Sequence, residues 1–152
     1  MQVTSTNSGF TLLELLAVLA VLGVLLALAA PSYLASIQRA RLAEAQNTVY
    51  AELYRARSTA QRRSVSQAIT WTPDSISAGA GRSVALPNGA RIATPPAGGN
   101  IYTAPHGELS SPDGLRVELV DASGRWHTAV DGVGVTGKVL RRPVVAMSAP
   151  IR

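Results

Sequence analysis

The chain has 152 residues, enough for one domain with an appendage. Hydrophobic residues make up 47% and charged residues 15%, which excludes a disordered chain and departs from an ordinary cytosolic enzyme. There is no cysteine and there are only two histidines, so thiolate metal sites and Cys nucleophiles are excluded and a His-based centre has little material; neither an enzyme nor a cofactor is expected. Of the 14 basic residues behind the net charge of +5, 13 are Arg. Guanidinium forks match phosphates, but a composition rich in Arg, Ala, Gly and Val together gives the same charge without a selected anion surface.

Residues 1–9 are short and polar and end in Gly9. The next 21 residues, Phe10 to Ala30, carry one charge, Glu14. As a helix they span roughly 30 Å, the thickness of a bilayer core. The apolar run is longer than a secretory signal, and the small residue stands before it rather than after it. A membrane anchor is therefore expected. Its only nearby cations are Arg39 and Arg41, which taken alone put the C-terminal side in the cytoplasm. A carboxylate five residues into such a run costs a few kcal/mol unless it reaches the head groups or is paired.

Gly9-Phe10-Thr11-Leu12-Leu13-Glu14 resembles the processing motif of type IV pilins and pseudopilins. The resemblance implies cleavage after Gly9 by a prepilin peptidase on the cytoplasmic face and N-methylation of the new terminal Phe10. It also implies that Glu14 pairs with the terminal amine of an adjacent subunit during assembly. Gly23 and Pro31 stand where many such proteins carry a helix-weakening Gly and Pro. The leader here has no Lys or Arg, unlike the usual basic leader. The family topology, leader inside and domain outside, reverses the orientation read from Arg39 and Arg41. It implies a single-pass protein of the bacterial inner membrane with a periplasmic domain, working with other pilin or pseudopilin subunits and an inner-membrane assembly platform, and held in lipid before assembly.

Pro31 should kink the helix rather than end it. Beyond it Leu42, Ala45, Val49, Leu53, Ala56 and Ala60 recur at helical spacing, one apolar stripe that predicts helix to about Gln61. From Val65 the period becomes two. Short strands are predicted at 82–86, 90–94 and 100–104, longer ones at 115–120 and 125–130, and another at 135–140. Asp121-Ala122-Ser123-Gly124 reads as a hairpin turn. The expected fold is α+β, a long N-terminal helix packed on a small antiparallel sheet. Its parts are a leader at 1–9, a transmembrane and assembly half at 10–30, an amphipathic half at 31–63 and a β-rich domain at 64–152. The later part, roughly 55–140, is similar to H-type minor pseudopilins and FimT-type minor pilins.

Other chemistry is sparse. His106, Glu108 and Asp113 lie close together but match no ligand spacing. Gly79-Ala80-Gly81 and Gly98-Gly99 precede no helix, so they are loop glycines rather than a phosphate cradle. Trp71 and Trp126 sit on alternating patterns and are expected in the core. The tail gathers Lys138, Arg141, Arg142 and Arg152, with no acidic residue after Asp131. Gly137-Lys138-Val139-Leu140-Arg141 resembles the Gly-Arg-x-Arg-like element of FimT-type pilins with the second Arg shifted by one, and the four cations together are candidate DNA contacts, against the alternative of a solvated basic tail. The resulting expectation is a structural subunit of a type IV pilus or a type II secretion pseudopilus, with DNA uptake in competence as the alternative role.

Overall fold

The computed structural model describes residues 10–79, 83–94 and 101–147, in two compact units that meet between Ser36 and Ile37. One helix, α1 (Leu12–Arg63), contributes to both. In the first unit every residue from Phe10 to Leu34 is exposed, including the whole apolar run. The helix continues through Pro31. The proline nitrogen has no proton, so the Ala27 carbonyl loses its helical donor. Close by, the Ser32 hydroxyl donates to the Ala29 carbonyl at 2.9 Å. The helix reaches Arg63, and Ser64 follows it with a φ of 51°. That left-handed conformation closes many helices.

In the second unit the stripe is buried as its spacing predicts: Leu42, Ala45, Val49, Leu53, Ala56 and Ala60 are at most 2% exposed. They share one core with Ile69, Ile76, Tyr102, Leu109, Leu115, Val117, Leu119 and Val130. The strands are β1 (Gln67–Thr72), β2 (Ser75–Ala78), β3 (Ser83–Ala85), β4 (Arg91–Thr94), β5 (Ile101–Thr103), β6 (Glu108–Leu109), β7 (Leu115–Val120), β8 (Trp126–Gly132), β9 (Val139–Arg141) and β10 (Val145–Ala146).

The expected single sheet is two. One has the order β3-β2-β1-β5-β6 and the other β10-β8-β7-β4, with β9 also beside β8; every pairing is antiparallel. The Leu109 N–H of β6 donates to the Gly134 carbonyl at 3.0 Å, which links the two. The β7–β8 hairpin forms as predicted. Asp121 accepts from the Gly124 N–H at 3.0 Å, and Gly124 holds the positive φ of 69° that its turn needs.

The strand expected at 135–140 is a turn that ends in the short β9. Backbone packing explains the difference. A Cβ at Gly134 would stand 2.2 Å from the Pro112 carbonyl oxygen, and one at Gly137 would stand 1.8 Å from that of Gly107. Chain pressed so closely against neighbouring backbone has no room for an unbroken ladder.

Candidate functional site

The N-terminal candidate residues are Phe10, which is 85% exposed, and Glu14 in the first turn of α1. Thr11 precedes the helix, and its hydroxyl accepts from the Glu14 N–H at 3.2 Å. In return Glu14 Oε2 accepts from the Thr11 N–H and from its hydroxyl, each at 3.4 Å. This is a reciprocal capping box: two orphan donors of the helix start are satisfied, and the carboxylate sits at the positive end of the helix dipole. All three contacts leave Oε1 without a partner among the described residues. Gly9 lies outside the described residues. Gly23 is inside the apolar run, where a Cβ would meet nothing within 4 Å. Packing within one chain therefore gives no reason for a glycine there. From Leu12 onward this helix is long and apolar enough to cross a membrane.

Two of the described tail cations, Arg141 and Arg142, make side-chain contacts within the domain. Arg141 donates to Asn47 Oδ1 at 2.7 Å, and its guanidinium lies 5.0 Å from the centre of the Tyr50 ring. Arg142 donates to Asp131 Oδ2 at 2.6 Å. Its carbonyl accepts from the Thr128 hydroxyl at 2.9 Å and from the buried Gln46 amide at 2.6 Å. Lys138 is exposed, and its N–H donates to the Thr136 hydroxyl at 3.3 Å. Arg152 lies outside the described residues.

Asp131 is held between two arginines, since Arg116 also reaches its Oδ1 at 2.9 Å. Burial alone would raise the Asp131 carboxyl, but the bonds and charges of Arg116 and Arg142 hold it below the usual carboxylate range. Asp121 behaves alike: burial pushes it up, and hydrogen bonds from Ser123 and from the Trp126 and Arg125 backbone bring it down.

Sequence reasoning missed Gln46 and Glu52, two polar residues buried on α1. Gln46 Nε2 donates to the Thr128 hydroxyl at 2.8 Å and to the Ala129 carbonyl at 3.0 Å as well as to Arg142. Glu52 pairs with Arg55. Trp71 and Trp126 are half-buried against the core, and Trp126 also carries the Arg39 guanidinium 4.3 Å from its ring centre. Among the described residues no three His, Asp or Glu side chains are grouped as a metal set.

Neither the curated proteins nor the solved structures contain a match to this chain. Residues 4–30 match the family model for the prokaryotic N-terminal methylation motif, which supports the pilin and pseudopilin superfamily.

Proposed function

We propose that the chain is a prepilin-type structural subunit, stored in the inner membrane through its apolar run and built into a filament by helix packing. The observation that carries this is the union of two features in one segment. Gly9-Phe10-Thr11-Leu12-Leu13-Glu14 falls within the matched residues 4–30, and the helical segment 15–30 that follows is apolar throughout and exposed at every residue. A helix of this kind needs lipid or other helices around it. The motif implies processing by a prepilin peptidase and assembly with other pilins. In this reading cleavage after Gly9 exposes the Phe10 amine, which is then methylated. Glu14 Oε1 remains open to the amine of a neighbour while Oε2 caps its own helix. Gly23 and Pro31 weaken the apolar helix so that it can adjust to neighbouring subunits.

The role is that of a substrate of the peptidase and a building block, and the domain after the anchor faces the periplasm. Both a type IV pilus and a type II secretion pseudopilus use this N-terminal device. N-terminal mass spectrometry of assembled material tests the reading. A mature chain beginning at N-methylated Phe10 is expected, whereas an intact Met1 or cleavage near Ala30 overturns it.

A further inference from the structure

The C-terminal end of α1 and the segment entering β1 line a cavity of about 820 Å³. That volume falls in the range of roughly 300–1,000 Å³ that small-ligand sites occupy. Arg55, Thr59, Arg62 and Arg63 line it from the helix, and Ser66 and Gln67 from the other side. Positions 55, 59 and 62–63 share one helical face, and Arg55 and Arg62 are separated by roughly 10 Å of axial rise. The Gln67 wall is closely built. A Cβ at Gly79 would stand 2.1 Å from Gln67 Oε1, and the Gly79 N–H is tied to the Ala68 carbonyl at 2.7 Å.

The charge of this cavity is unbalanced. Among the described residues three arginines and no Asp or Glu line it. Arg55 has Glu52 as a partner, while Arg62 and Arg63 form no ion pair among the described residues. The carbonyl end of the helix dipole amounts to about half an elementary charge, too little to offset two guanidiniums. Both side chains are exposed in the last turn of the helix.

A single carboxylate occupies one guanidinium fork. Forks spread over this length call for an anion whose oxygens are spread likewise. Among the described residues no aromatic ring lines the cavity, so they offer no platform for stacking a base. We propose that this cavity binds a condensed phosphate anion, with Arg62 and Arg63 as the main contacts at one end, Arg55 at the other, and the Thr59 and Ser66 hydroxyls as neutral contacts between them. The proposal stands apart from the pilin reading and uses none of the N-terminal residues.

The test is calorimetric titration of the full chain, in neutral detergent at low salt, with inorganic tripolyphosphate. Saturable binding is expected. Arg62→Ala/Arg63→Ala should weaken it about tenfold or more, because at least one charge-assisted contact is lost. Arg62→Lys/Arg63→Lys should give a smaller loss, since a point charge lacks the fork. Arg41→Ala/Arg91→Ala removes the same charge elsewhere and should leave binding unchanged, with circular dichroism confirming that each variant is folded. Absence of binding by the unmodified chain, or an equal loss in the Ala pair and the charge-matched control, overturns the proposal.

Discussion

Thr11 and Glu14 cap the start of α1 reciprocally, and they do so through only one of the two carboxylate oxygens. A carboxylate that serves both as a helix cap and as an assembly partner has two physical roles, and they separate by chemistry. Capping needs an acceptor three residues into the helix, which a glutamine oxygen supplies as well as a glutamate oxygen does. Pairing with a neighbour's amine in a water-poor helix bundle needs the negative charge itself.

Glu14→Gln should therefore keep the helix start and the membrane insertion while losing incorporation into filaments. Glu14→Ala should lose incorporation as well, and insertion should be intact or improved, because a charge has been taken out of the apolar run. An uncompensated amine in the filament core costs on the order of 3–5 kcal/mol, enough to reduce incorporation to a trace. The measurement is the share of each variant in sheared filaments against the share left in the membrane. Normal incorporation of the Gln variant would show that the cap, and not the charge, is what assembly requires.

Gln46 provides a second test, inside the domain. Its amide faces three oxygens, those of the Thr128 hydroxyl and of the Ala129 and Arg142 carbonyls. Gln46→Leu removes the donor and should cost roughly 1–3 kcal/mol. Gln46→Glu keeps the shape but sets a carboxylate against three acceptor-bearing groups in a buried place, so it should cost more than Leu. Denaturation followed by tryptophan fluorescence gives the order. A Glu variant as stable as the Leu variant would mean that these oxygens do not converge on the amide.

Gln46 also marks where the sequence stopped being legible. The helical period was enough to find Leu42, Ala45, Val49, Leu53, Ala56 and Ala60, because a buried face needs nothing more than regular spacing. A polar residue on the same helix reads as solvated unless its partners are known, and here they lie 82 to 96 residues further along the chain. The same limit hid the docking of Arg141 and Arg142. In the sheets, β7 was found with its full extent since Leu115, Val117 and Leu119 alternate inward. By contrast β2 carries one fully buried apolar residue, Ile76, among small ones and left no pattern. The motif at Gly9–Glu14 was legible because it is local; the Thr11–Glu14 cap falls inside it, yet its single free oxygen appears only in the geometry.

Tyr102 is fully buried, and its hydroxyl has no hydrogen-bond partner among the described residues. Burial pushes its phenol up to about 12, against the pull of the Arg57 charge. The raised value means that the neutral phenol contributes its full stability below the ordinary value near 10. That contribution is lost as pH rises through about 12. In an alkaline titration of phenolate absorbance, one of the four tyrosines should resist ionisation until that range or until the domain unfolds. Tyr102→Phe deletes an unpaired hydroxyl and should leave stability unchanged or raise it by up to about 1 kcal/mol. A loss of that size instead would reveal a partner for the hydroxyl.

The last prediction separates a docked basic tail from a free one. Asp131 accepts from Arg116 and Arg142, and its carboxyl lies below the usual range because these bonds outweigh burial. A depressed carboxyl stabilises the fold fully above the unfolded value near 3.9, and that contribution is lost as pH falls below it toward the folded value. Asp131→Asn should therefore lower stability at neutral pH and flatten its decline on acidification. The tail substitutions should follow the contacts. Arg142→Ala removes the partner of a mostly covered carboxylate and should cost roughly 1–2 kcal/mol after allowance for its partial exposure. Arg141→Ala gives up one hydrogen bond and a cation–π contact at the surface and should cost about 0.5–1 kcal/mol. Lys138→Ala, at an exposed position without a side-chain hydrogen bond or ion pair among the described residues, should change little. Chemical denaturation of the full chain in detergent measures all four variants. Equal stability across the three tail variants would release Arg141 and Arg142 from the domain and make all three cations available to an external anion. A graded loss in the order Arg142, Arg141, Lys138 would instead mean that the tail's charges serve first to hold β9 and the chain after it against α1 and β8.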